Sequence, residues 1–142
     1  MTQALCNNHF QVEWGGRRVG FMAVSGLGTS VEVVASRDGA SKVNTSIALP
    51  GLQQFSPVVL TRAIEPGDNG FFEWMNATSF QQAEKRDVTV SLLNARHEPV
   101  VVWRLMAAFP SRLEYGPLHA QGNDLATETL TLVHQGMRVE HV

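Results

Sequence analysis

Residues 86–107 read RDVTVSLLNARHEPVVVWRLMA, and this stretch decides the class of fold. Between Asp87 and Leu93, the side chains of Val88, Val90 and Leu92 fall on one face of an extended chain. Between Val100 and Ala107, Val101, Trp103 and Leu105 do the same. A period of two is the side-chain repeat of a strand. Asn94 to Pro99 lies between the runs and is rich in residues that favour turns. The stretch therefore predicts two antiparallel strands joined as a β-hairpin.

The same period recurs on both sides. Towards the C-terminus, Arg112 to Tyr115 reads as a short strand. Glu128 to His134 reads as a strand with Leu130 and Leu132 facing inwards, and Met137 to Val142 as a last short strand after Gly136. Towards the N-terminus, Val58 to Arg62 and Val31 to Ala35 are strands. Phe10 to Trp14 and Arg18 to Val24 flank Gly15-Gly16, which predicts another hairpin because glycines supply the positive φ of tight turns. One segment is helical. Asp68 and Asn69 offer capping oxygens, and Phe71, Trp74, Met75 and Thr78 then repeat at helical spacing up to an end near Gln82. Its aromatic stripe is read as a face packed on the sheets.

Ser36 to Pro57, SRDGASKVNTSIALPGLQQFSP, fits no element. So long an irregular segment inside a compact domain is either a solvated loop or a functional one. A β domain also has open strand edges that need cover. A loop reaching onto a neighbouring copy would answer both needs.

A length of 142 residues fits a single domain, 1–142, able to bury its own core. Charged residues make up 17% of the chain, below the roughly one quarter that is usual. A surface poor in charge is often one that meets protein. The formal net charge of −2 gives no electrostatic drive towards nucleic acid or anionic membrane. The single cysteine, Cys6, allows no internal disulfide and suits synthesis in the cytoplasm. The N-terminus lacks the basic and apolar regions of a signal peptide, and no apolar run is long enough to span a bilayer, so no stable membrane insertion is expected.

No catalytic constellation is visible. His9, His97, His119, His134 and His141 show no ligand spacing to one another or to cysteine, so no metal or cofactor is expected. They read as surface or strand-edge residues, with His97 solvated in its turn. Ser25 lacks the frame of a nucleophile elbow, and Gly26-Leu-Gly28 is not a phosphate-binding fingerprint. Helix capping accounts for Glu65, Asp68 and Glu73. The chain is expected not to be an enzyme.

Taken in order, several segments resemble the tail tube proteins of contractile phages and of phage-tail-like extracellular injection particles. They are Phe10-Gln-Val-Glu-Trp14-Gly-Gly16 with Val19-Gly-Phe21 and Val24-Ser-Gly-Leu27; Leu49-Pro-Gly-Leu52 and Val58-Val-Leu-Thr-Arg62; Phe72-Glu-Trp-Met-Asn76; Arg86 to Asn94 with Pro99 to Trp103; and Ala108-Phe-Pro110 with Asn123 to Leu130. The chain departs from that pattern at Phe71-Phe72, where the family has a less aromatic pair, and in the small, polar Ser36 to Ser46.

The resemblance implies a mainly β, tail-tube-like fold: an antiparallel β-sandwich or barrel of two packed sheets with one flanking α-helix. It implies a structural subunit of an inner tube, built from stacked homohexameric rings around a hollow lumen, with sheets of adjacent subunits joining into a continuous barrel. Expected partners are further copies of the chain, a surrounding sheath protein, baseplate and spike proteins, a tail terminator, and cargo in the lumen, toxin or DNA. The particle would be a phage tail or a released extracellular injection device. The segment at about 36–57 would be an extended assembly loop, with Arg37, Asp38, Gly39, Lys42, Val43, Asn44, Pro50, Gly51 and Leu52 at the subunit interface. Thr127, Thr129 and Thr131, polar on the face opposite Leu130 and Leu132, would line the lumen or else form an ordinary solvent face. The alternatives are a tube-initiator or spike-adaptor ring of the same particle and, more remotely, a small β-barrel enzyme or ligand-binding module.

Overall fold

A computed structural model describes residues 5–16, 20–36, 39 and 47–142. In chain order the elements are β1 (Phe10–Glu13), β2 (Phe21–Ser25), β3 (Thr29–Ser36), β4 (Ile47–Phe55), β5 (Val58–Ala63), α1 (Gly70–Asn76), β6 (Arg86–Leu93), β7 (Pro99–Tyr115), β8 (Thr127–Val133) and β9 (Gly136–His141). The body is a sandwich of two antiparallel sheets with one helix, as the sequence led us to expect. One sheet runs β1-β6-β7-β9 and the other β7-β8-β5-β2. The hairpin at 86–107 is there, with Val90 opposite Trp103 and Ser91 opposite Val102.

The two sheets share β7. Arg112 to Tyr115 is the far end of this long strand and not a separate one. β7 pairs with β6 and β9 along its first part, then with β8 along its second. The change of sheet happens at Ala107, whose φ of 53° is left-handed. The strand turns a corner there, as bulged strands do. The Ala107 N–H, lost to the ladder, is met by Asp87 Oδ1 at 3.1 Å, and the Met106 carbonyl accepts the Gln135 N–H at 2.9 Å.

Two expectations are corrected. The chain from β1 to β2 is not a hairpin, because β1 pairs with β6 and β2 with β5, at opposite ends of the strand order. Gly15, at φ 84°, faces the Arg86 side chain, and Gly16 serves Trp14. Its ring folds back into the core, and a Cβ on Gly16 would lie 2.2 Å from it. The second correction lies within Ser36 to Pro57, where residues 47–55 are strand β4, paired with β3 from Thr29↔Phe55 to Ser36↔Ile47. Pro50 and Gly51 masked this strand in the sequence. Both sit beside the register shift between Val31 and Val33, where an edge tolerates them.

The helix is shorter than its pattern, ending at Asn76 and not near Gln82. Phe71 and Trp74 are buried, and they join Val12, Trp14, Leu60, Val88, Leu105 and Leu130 in the core. The Gly70 N–H is met by Asp68 Oδ1 at 3.0 Å, while Asn69 holds the cap position without a side-chain bond.

Because left-handed backbone costs a side chain about 1–2 kcal/mol, Ala107→Gly is expected to be neutral or stabilising. Ala107→Val should lose about 1–3 kcal/mol in urea unfolding. Equal stability of the two variants would remove the strained corner from the account of how the sheets are joined.

Candidate assembly surfaces

Among the described residues no group of three or more His, Cys, Asp or Glu side chains gathers into a cluster that could hold a metal ion. The candidate functional regions are surfaces: one sheet face, two strand borders and one projecting arm.

The sheet face belongs to β7-β8-β5-β2. Inward-facing side chains alternate along β5 as Val58, Leu60 and Arg62, and along β8 as Leu132, Leu130 and Glu128. The opposite parity points away from the core. Thr127, Thr129 and Thr131 therefore lie side by side with Ala63, Thr61 and Val59. Thr61 and Thr129 bring their hydroxyls to 3.4 Å. Ala23 and Ser25 of β2 extend the same face on one side, and Arg112 and Glu114 of β7 on the other. Those two charges pair with each other. The face is thus small, hydroxyl-rich and balanced in charge.

Beneath it lies an ionic group that the sequence reading passed over. Arg62 is 1% exposed and directly opposite Glu128, with Arg62 Nε donating to Glu128 Oε1 at 2.7 Å. Arg62 Nη1 lies 3.2 Å from Asp68 Oδ2, an ion pair without hydrogen-bond geometry. The guanidinium sits 3.9 Å from the centroid of Phe71, 5.3 Å from that of Trp14 and 5.9 Å from that of Phe21. Aromatic faces attract a cation, which compensates the arginine nitrogens that find no oxygen. The signal was present in the parity: a strand that places Val58 and Leu60 inside must place Arg62 inside too.

The borders follow from the strand order. In this sheet β2 pairs only with β5, and Arg112 to Tyr115 of β7 pairs only with β8 among the described residues. Both outer edges expose unpaired backbone donors and acceptors, the usual template for another strand.

The arm is β3-β4. Among the described residues these strands pair only with each other, and every residue of theirs is exposed except Phe55 at the root. The arm carries Val33 at 69% exposure, Ile47 at 66% and Leu52 at 74%. At its root Phe55 packs on His134, with ring centroids 5.4 Å apart. An isolated two-stranded hairpin is marginal in water, and bare apolar groups on both of its faces ask for a protein partner.

Of the expected interface residues, Pro50, Gly51 and Leu52 lie on the arm and are exposed, and Gly39 is an exposed turn residue. Arg37, Asp38, Lys42, Val43 and Asn44 lie outside the described residues. The histidines do not gather into one site. His134 is buried, with Nδ1 3.0 Å from the Gly136 carbonyl, which corrects its reading as a surface residue. His97 meets His9, Nδ1 to Nε2 at 2.6 Å, and is not simply solvated. Among the described residues no helix is long and apolar enough to cross a membrane.

Residues 6–138 match the family described as T4-like virus tail tube protein gp19. The fold is similar to a chain of an extracellular contractile injection system, the PVC sheath–tube complex in its extended state. That likeness has 30% identity and a TM-score of 0.88, and covers 98% of this chain and 93% of the other. The tube-terminating cap of the anti-feeding prophage is also similar, with 29% identity, a TM-score of 0.90, and coverage of 100% and 94%. Hcp1 from Flavobacterium johnsoniae shares the fold at 13% identity and a TM-score of 0.60, covering 94% and 95%. No curated protein matches the sequence.

Removing one partner from a buried ionic group leaves the others uncompensated, at about 3–5 kcal/mol. Arg62→Met should therefore lower unfolding free energy by that order, and Arg62→Met with Glu128→Leu should recover part of the loss. Loss of under about 1 kcal/mol in the single variant would show that the network is not closed to solvent.

Proposed function

Because this chain belongs to the T4-like virus tail tube protein gp19 family, we propose that it works as stacked homohexameric rings whose adjoining sheets form one channel wall. It is a structural tube subunit; the arrangement of copies, the channel face and the partners are our reading.

The observation that carries this reading is the pair of open borders on the β7-β8-β5-β2 sheet. Its strands alternate in direction and are even in number. β2 therefore runs opposite to the second half of β7. A neighbour related by rotation brings its β7 beside this β2 in antiparallel register, the arrangement in which a hydrogen-bonded ladder can continue. Such a head-to-tail contact repeats until the rotation closes, and closure leaves no edge. The Thr127, Thr129 and Thr131 face becomes the lumen wall. Its small hydroxyl side chains and self-paired Arg112 and Glu114 give a passing cargo, polypeptide or DNA, no strong electrostatic hold.

The arm, with Pro50, Gly51 and Leu52, is placed to clasp a neighbouring subunit or ring, and the segment from Arg37 to Asn44 joins its two strands. Burial of Val33, Ile47 and Leu52 against a second copy would give the hairpin the support it lacks alone. Around the tube stands a sheath, and at its ends a baseplate and a terminator, as the similar sheath–tube complex and terminating cap suggest. The subunit is made in the cytoplasm and leaves as part of the particle. No step asks the chain for catalysis. The likeness to the cap also favours a second reading, an end ring of the same particle, with the same fold at low copy number.

Electron microscopy of the purified protein, alone or with its particle partners, should show rods with a central channel and sixfold rings. Particles should carry many copies, not a single ring. Val33→Asp with Leu52→Asp should leave the body folded, with a melting temperature within about 3 °C of the parent, since both sites are exposed, and abolish rods. Rods of normal length from that variant would refute the role of the arm.

A further inference from the structure

The turn that follows the helix is not used by the ring, the channel or the arm. Ser79 and Gln82 exchange both backbone hydrogen bonds, at 2.7 and 3.0 Å. The chain between them is a tight two-residue turn, with Gln81 at φ 60°. Phe80, at its tip, is 89% exposed, more than any other large apolar side chain among the described residues. A left-handed, non-glycine residue is strained, and a bare phenyl ring adds nothing to the stability of a lone subunit. The turn displays an aromatic ring at an energetic cost.

Where the ring points follows from the sandwich. Arg62 leaves the β7-β8-β5-β2 sheet on the side opposite Thr61 and Thr129. Its guanidinium meets Phe71 of the helix. The helix therefore packs behind the sheet whose front carries the threonines. Phe71 and Trp74 turn inwards, while Phe72 is half-exposed and Glu73 and Asn76 are exposed. If the threonine face looks into the lumen, the helix lies on the side away from it, and the turn begins three residues after the helix ends. This step rests on the channel assignment proposed above.

We infer that Phe80 is an anchor for the surrounding sheath: a ring on the outer wall that enters an apolar pocket of a sheath subunit, with Phe72 supplying a second apolar contact. Exposed aromatics encircled by polar groups dominate interface energies when a partner covers them. Ser79 and Gln81 flank Phe80, and these two and Gln82 are exposed, polar groups available for such a rim. Repetition of the turn around each ring and along the stack would hold the sheath through many weak points. This suits a sleeve that must later slide off, because each point can release by itself while the array holds.

The test uses the full chain assembled into rods and the purified sheath protein of the same particle. Variants are Phe80→Ser, Phe80→Leu as the apolar replacement, and Leu118→Ser as an exposed apolar control from another loop. Phe80→Ser should form rods of normal length and bind sheath roughly tenfold or more weakly in co-sedimentation, a hot-spot loss. Phe80→Leu should regain most of the binding, and Leu118→Ser should bind like the parent. Unchanged sheath binding by Phe80→Ser rods would overturn the inference and leave the tube reading standing. Loss of rods by a folded Phe80→Ser subunit would also overturn it, placing the turn between subunits. A parent chain that never forms rods, with or without its partners, would overturn both readings.

Discussion

The arrangement depends on one buried cation. Arg62 connects Glu128 across the β5–β8 ladder, Asp68 at the entry to the helix, and the rings of Phe71, Trp14 and Phe21. Burying an ionic group brings little net stability compared with an apolar cluster of the same volume. Its value lies in what it fixes. Glu128 sets the register of β5 on β8, because a slip by one residue would turn the arginine out to the threonine face. Asp68 sets where the helix starts, and the aromatic rings set how the helix lies on the sheet. A single side chain thereby holds the front of the sheet and the helix behind it in one relation.

That relation matters because a tube subunit has several faces to present at once. The sheet needs two straight borders at opposite edges, a smooth front and a packed back. The shared strand β7 contributes the second requirement, stiffness. One continuous strand belongs to both sheets, so neither sheet can shear against the other without breaking β7 at its corner. Asp87 and Gln135 satisfy the backbone groups that the corner frees. Stiffness within the body contrasts with the arm, which meets the body only at its root among the described residues and leaves its apolar groups bare. A rigid block with one projecting clasp is what repeated stacking asks of a monomer.

Much of this was legible in the sequence, and the parts that were not share a cause. Strict alternation revealed β6, β8 and the first part of β7, because each buries one face and exposes the other. The inward parity of Arg62 and Glu128 was present in the same alternation and was passed over, because a charge at an inward position reads as an interruption until its counter-ion is known to lie opposite. The corner at Ala107 was invisible, since alanine carries no sign of left-handed backbone. The hairpin expected at Gly15-Gly16 failed because two glycines admit several causes, and here Gly16 makes room for the Trp14 ring while Gly15 lies against Arg86. The second strand of the arm, β4, was missed for the most telling reason. The arm's strands, β3 and β4, bury neither face within the monomer, so β4 in particular shows no amphipathic period.

A strand without a buried face is the trace that assembly leaves on a single sequence. In a monomer, apolar residues on both sides of a two-stranded ribbon would be an aggregation hazard, and proteins normally blunt such ribbons with charge or proline. Here Pro50 and Gly51 interrupt the ladder at its middle. The ribbon is thus protected against indiscriminate pairing along its length, and its apolar side chains remain available to a partner of matching shape. The same reasoning applies to the low share of charge over the whole chain. On the proposed arrangement the borders and the arm meet other subunits and leave little free surface on which charge would be useful, so the sparse charge of the composition and the open borders of the fold answer to one constraint.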